Sequence, residues 1–251
     1  MILITYQKVF QFTHNDLHTN NVMYVSTKKK FLYYCFKGVY YKVPTYGKIF
    51  KIIDLRDPVE IEKAPDNLSS NLLKKYINLP ISANTLSRMA DAYHNCNYEE
   101  NETIYENVMK KSYEFYLKNH SEVWKKFFTL LLESNGKPII YHCSAGKDRT
   151  GIASYLIQSL CSQKEELIFD NYLLSNQLLN QRDATAEQKY TLKRNKKMTD
   201  LMLKVIGQVK LDYLKNSITF IKKEYGSVEN YFLKKLNFSE KDLKNIKHIY
   251  S

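Results

Sequence analysis

Residues 137–157, KPIIYHCSAGKDRTGIASYLI, constrain this chain more than any other stretch. The apolar run 138–141 predicts a short buried strand, and the residues from Arg149 to about 161 predict a helix. A strand that feeds a helix through so short a loop leaves unpaired backbone N–H groups at the first helical turn. Those groups and the positive end of the helix dipole together make an anion site. Ser144, Ala145, Gly146, Lys147 and Asp148 are spaced to curl around one tetrahedral anion, and Gly146 removes a Cβ where the chain must come close. Arg149 supplies two parallel N–H donors for two oxygens of that anion.

The same loop places Cys143 at the strand end, ringed by N–H donors and near Lys147 and Arg149, a setting that stabilises a thiolate. A thiolate aimed at a bound phosphoryl group is a nucleophile with its electrophile already in position. Thr150 can donate a hydroxyl hydrogen bond to the sulfur, and His142 can orient the loop through its ring nitrogens. Cysteine is also a common small buried hydrophobe. Against that reading stands the coincidence of Cys, Gly and Arg at these spacings in a chain with 7 glycines, 4 cysteines and 5 arginines.

Composition narrows the class. A chain of 251 residues with 44% hydrophobic residues buries a real core, and the scarcity of Gly and Pro excludes collagen-like and low-complexity architectures. Apolar runs fall far short of the ~20 residues that cross a bilayer, so no transmembrane segment is expected. No charged stretch followed by a long apolar one opens the chain, and Cys35, Cys96, Cys143 and Cys161 show no CxxC pairing. A cytoplasmic protein with free thiols is therefore expected. The net charge of +12 comes mostly from lysines spread along the whole chain, and no nucleic-acid module accompanies it. It reads as a solvated surface with some attraction for anionic substrates. No nucleic-acid partner is expected.

The fold class read from the pattern is α/β. Residues 1–54 hold the strand-like part: FLYYCFKGVYYKV and YGKIFKIID predict one or two hairpins. From about residue 68 the pattern is helical, with apolar side chains at three- and four-residue spacing over 102–119 (Ile104, Val108, Tyr113, Phe115, Tyr116) and 121–134 (Trp124, Phe127, Phe128, Leu131). Ser162 and Glu165 form a capping-box pattern ahead of a helix at 163–180, and Ser227 and Ser239 are N-cap candidates for two later helices.

The segment HCSAGKDRTG resembles the loop of the cysteine-dependent tyrosine phosphatases, and its Gly-Lys-Asp-Arg-Thr-Gly form resembles the atypical tyrosine/serine protein phosphatase family. Further stretches are similar: IIDLRDPVEIEKAPDNL (52–68), INLPI (77–81), DNYLLSN (170–176) and the tail 211–246. The resemblance covers about residues 50–251. It implies a cysteine-phosphatase-like sheet flanked by helices, with a helix-rich C-terminal half, and leaves residues 1–50, with their hairpin pattern, as an N-terminal appendage outside it. It also implies a phosphate-monoester hydrolase without metal or cofactor. Cys143 would be the nucleophile, Arg149 the phosphate clamp and Asp148 the proton donor, with Asp91 the alternative donor. Asp54, Arg56 and Glu60 resemble the family's supporting loop, or equally a structural ion pair at a strand end. Substrates implied are phosphoproteins carrying phosphotyrosine or phosphoserine, or phosphoinositides, for which Lys147 is a second cation. An inactive phosphate-binding relative is the further alternative, because the family's usual N-terminal Asn-Phe-Arg-Asp-like motif is absent.

In its place, THNDLHTNN (13–21) resembles a protein-kinase catalytic loop, with His14, Asp16 and Asn21 on the motif and Asp54 where a kinase holds metal. Leu55 and Arg56 replace the usual Phe-Gly, and 13 residues before His14 are too few for a nucleotide-binding lobe. Kinase activity is not expected. His14 and His18 stand at helical spacing for a metal but lack a further ligand.

Overall fold

The computed structural model describes residues 31–36, 39–44, 51–68, 70–82, 84–97, 101–180 and 200–250. The kinase-like motif with His14, Asp16, His18 and Asn21 lies outside them. Strands β1 (Phe31–Phe36) and β2 (Val39–Pro44) pair antiparallel, which is the first expected hairpin. Residues 45–50, the start of the second strand-like stretch, lie outside the described residues. Lys51–Asp54 becomes β3, the central strand of a three-stranded parallel sheet in the order β4-β3-β5, with β4 at Tyr76–Asn78 and β5 at Ile139–His142.

Strands β3 and β5 are buried on both faces, which is why each carries adjacent apolar residues, Ile52-Ile53 and Ile139-Ile140-Tyr141, while the edge strand β4 is half-buried. Ile53, Ile139 and Tyr141 face the main core. Ile52 and Ile140 face a smaller cluster with Leu68, Leu72 and Tyr76. Two short helices lie between β3 and β4, α1 (Pro58–Lys63) and α2 (Ser70–Leu73), and α3 (Thr85–Asn95) follows β4.

The periodic segments 102–119 and 121–134 are helices α4 (Glu102–Asn119) and α5 (Ser121–Ser134). On α5, Trp124, Phe127, Phe128 and Leu131 are all fully buried; the Phe127 ring meets Tyr141 edge-on at 5.3 Å and Phe128 meets Phe232 at 4.5 Å. Truncating any of these aromatics would cost about 3–5 kcal/mol. Helix α6 (Arg149–Leu160) is the buried axis of the molecule, with ten of its residues out of solvent. On it pack α7 (Glu165–Asn180), α10 (Val228–Asn230, continued by a π turn at Tyr231–Lys235) and α11 (Glu240–Tyr250), while α8 (Asp200–Gly207) and α9 (Leu211–Tyr225) pack on α4.

Ser227 and Ser239 cap α10 and α11 as their positions predict. Ser162 does not cap α7. It adopts a left-handed φ of 57°, and Gln163 N–H donates back to Gln158 C=O, so termination of α6 has claimed the residue.

Candidate active site

The register sets Asp54 of β3 beside His142 of β5, so the loops leaving both strands diverge from the same sheet end. In open α/β sheets that end carries the ligand crevice. Cys143 is the first residue beyond β5 and is only 5% exposed. Thr150, in the first turn of α6, donates its hydroxyl hydrogen to Cys143 Sγ at 3.2 Å. Gly146 sits at φ 68°, the left-handed conformation that folds the loop back and favours glycine. Among the described residues, no backbone hydrogen bond uses the N–H of Ser144, Ala145, Gly146, Lys147 or Asp148. A buried sulfur thus adjoins five consecutive amides without a backbone partner.

Arg149 is pinned as well as placed. Its Nη1 donates to Glu60 Oε2 at 2.6 Å and its Nη2 to Glu60 Oε1 at 2.7 Å, a parallel two-bond pair. Nη1 also donates to the carbonyls of Ile81 and Leu55, and Nη2 to Ser144 Oγ at 3.3 Å. Among the described residues the Nε–H is not engaged. Burial works against the charge of Arg149, but the hydrogen bonds it donates to Glu60 and the nearby Cys143 and Glu60 charges outweigh it and keep the guanidinium protonated. Burial likewise raises the Glu60 carboxyl, and the Arg149 bond and charge then bring it below its ordinary range. Glu60 is held by the start of α1: Asp57 N–H donates to Glu60 Oε2, while the Asp57 carboxylate accepts from Val59 N–H. The Asp-Pro-x-Glu order of DPVE is therefore a capping box that aims Glu60 at Arg149.

The profile of the tyrosine phosphatase family matches residues 45–251. The chain belongs to that family. It is also 34% identical over 96 residues to a "putative tyrosine-protein phosphatase" of Cupriavidus necator, a stretch covering 38% of this chain and 34% of that relative. The chain thus spans about a third of the length of the curated relative it matches. No helix among the described residues is long and apolar enough to cross a membrane.

In this phosphatase-family chain the remaining predicted residues fall into two groups. Asp54 and Arg56 form a buried pair behind the loop. Arg56 Nε donates to both Asp54 oxygens and its Nη2 to Asp54 and Asp66, while Tyr76 donates its hydroxyl to Asp54 Oδ2 at 2.6 Å. Burial raises the Asp54 carboxyl, but the Arg56 hydrogen bonds, His142 and Tyr76 leave it below its ordinary value. His142 connects this network to the loop: its Nε2 is 3.5 Å from Asp66 Oδ2 and its Nδ1 is 3.3 Å from Cys143 C=O. Asp54, Asp66 and His142 converge within 4.8 Å, a spacing that would suit a metal, but Arg56 already meets the charge of both acids.

The second group surrounds Asp148. Lys147, 4% exposed, donates Nζ to Asp148 Oδ2 at 2.7 Å and to Oδ1 at 2.9 Å, and lies 3.5 Å from Gln208 C=O. Tyr113 donates its hydroxyl to Asp148 Oδ1 at 2.6 Å, and Tyr172 OH lies 2.6 Å from Tyr113 OH. Asp91 is exposed on α3, and among the described residues no hydrogen bond or ion pair joins it to the loop. Sequence reasoning took Tyr113 as core and missed both tyrosines as neighbours of Asp148. The one available signal was Tyr172, inside the family-like stretch DNYLLSN.

Proposed function

We propose that the chain is a phosphate-monoester hydrolase, a protein phosphatase of the tyrosine/dual-specificity class, working through a cysteinyl-phosphate intermediate, with residues 51–251 as its catalytic domain. The observation that carries this reading is the Thr150-bonded sulfur of Cys143 beside a run of amides with no backbone partner among the described residues. Cys143 Sγ attacks phosphorus in line, and the bond from phosphorus to the leaving oxygen breaks. Arg149 offers its Nε–H and turns one Nη2–H from the long Ser144 contact to the phosphate, while the loop amides take the remaining oxygens. These donors act most strongly as charge builds on the equatorial oxygens in the transition state. Asp148 protonates the departing oxygen. Water then attacks the phosphocysteine, returns a proton to Asp148 and frees the thiolate.

Because Lys147 is buried and paired, the arrangement favours a substrate with one phosphate over a phosphoinositide carrying several. Cys143→Ser should abolish turnover of an aryl phosphate while phosphate or vanadate still binds. Turnover at the wild-type rate would refute the mechanism.

A further inference from the structure

We propose that Tyr113 is the positioning residue for Asp148, with Tyr172 and Gly151 built behind it for that purpose. The inference rests on the reading of Asp148 as the proton donor. A carboxylate only accepts, so Tyr113 gives its hydroxyl hydrogen to Asp148 Oδ1, and the second short contact must be Tyr172 O–H donating to the Tyr113 oxygen. The result is a directed chain, Tyr172 to Tyr113 to Asp148, in which each bond polarises the next.

The chain ties the loop to two helices distant in sequence. Tyr113 is fully buried on α4, and Tyr172 is 4% exposed on α7. The Tyr172 ring reaches Tyr113 by lying against α6 at Gly151, where an added Cβ would stand 3.1 Å from it. The glycine two residues after Arg149 therefore makes room for the outer tyrosine. Burial pushes both phenols well above their ordinary range, so they remain donors at every pH of assay.

Satisfying a buried hydroxyl does not by itself explain the contact. Tyr213, whose ring lies 5.9 Å from that of Tyr113, keeps a buried hydroxyl with no hydrogen-bond partner among the described residues. The fold tolerates an unpartnered phenol there, yet draws its neighbour onto the loop carboxylate.

The consequence is a division of labour between the two oxygens of Asp148. Oδ1 accepts from Tyr113 and Lys147, so the transferable proton sits on Oδ2, which accepts from Lys147 alone. When the P–O bond breaks, Oδ2–H passes its proton to the leaving oxygen and the carboxylate becomes ionised. The Tyr113 bond is then charge-assisted and stronger than before. Tyr113 thus matters most where the leaving oxygen needs its proton most.

The test compares kcat/KM, which reports P–O cleavage, for phenyl phosphate and p-nitrophenyl phosphate in wild type, Tyr113→Phe and Asp148→Asn. Tyr113→Phe should lose about tenfold on phenyl phosphate, the size of one charge-assisted hydrogen bond, and less than about twofold on the nitrophenyl ester. Asp148→Asn should show the same pattern more steeply, and adding Tyr113→Phe to it should cost nothing further. A steep pattern for Asp148→Asn with an even loss for Tyr113→Phe overturns the inference and leaves the acid assignment standing. An even loss in both overturns both. If Tyr113→Phe does not fold, Tyr172→Phe takes its place, with a two- to fourfold loss confined to phenyl phosphate; equal losses on the two esters would overturn the inference.

Discussion

Replacing Glu60 with Gln removes one charge from the clamp and leaves its shape. Two charge-assisted bonds, at 2.6 and 2.7 Å, fix the Arg149 guanidinium in one orientation. Each such bond contributes about 1.5–3 kcal/mol, and the Glu60 side chain, 36% exposed, places these at the low end. A Gln carbonyl retains one of them as a neutral-acceptor bond of about 1 kcal/mol, and the amide NH2 now opposes a guanidinium N–H. The orienting free energy therefore falls by about 2 kcal/mol, which allows a loss of up to about thirtyfold in kcat/KM. Removing a carboxylate beside the bound anion works in the opposite direction on simple phosphate binding. Inhibition by inorganic phosphate should consequently change less than turnover does. Steady-state rates on an aryl phosphate, phosphate inhibition and a thermal melt on the same preparation make the assay. If kcat/KM stays within about twofold of wild type and the melt is unchanged, the claim that Glu60 holds Arg149 is wrong.

Two further outcomes follow from the packing around the loop. Gly151→Ala places a methyl 3.1 Å from the Tyr172 ring, so the variant should lose about 1–2 kcal/mol in urea unfolding together with part of its activity; wild-type stability would show that the ring moves aside freely. His120, half-buried with Nε2 on Ser82 C=O, is held below its ordinary pKa by burial and then by the charge of Arg149, against the opposing Ser82 bond. The folded state therefore binds fewer protons than the unfolded one. Its contribution to stability is full above about pH 6.5 and is lost as the pH falls. The urea midpoint should drop between pH 7 and 5, and less so in His120→Gln; identical slopes would exclude His120 as the cause.

What was legible in the sequence was local. The loop stood out because its chemistry depends on rare residues at fixed offsets, Cys143, Gly146 and Arg149, and α4 and α5 because their apolar residues repeat at helical spacing over three turns or more. Pairing partners were not legible: Lys51–Asp54 reads as a strand, and nothing nearby reveals that its neighbour is Ile139–His142. The Ser162 pattern failed because two helix-end motifs overlap there, and the one ending α6 prevailed. Lys147 read either as a second cation for substrate or as an aid to thiolate formation, and its ion pair with Asp148 was not legible. Tyr113 was the least legible of all, since a tyrosine at apolar spacing looks like core until the position of its hydroxyl is known. The Asp-Pro-x-Glu cap was written in the chain, but its target, Arg149, lies 89 residues away.

The central claim is that Cys143 carries the phosphoryl group during turnover. Quenching the enzyme in acid during steady-state turnover of an aryl phosphate, followed by digestion and mass analysis, tests it most directly. The account predicts phosphate on the peptide containing Cys143 in the wild type, and none in Cys143→Ser. Turnover with the phosphoryl group found on another residue, or on none while Cys143→Ser remains active, would contradict it.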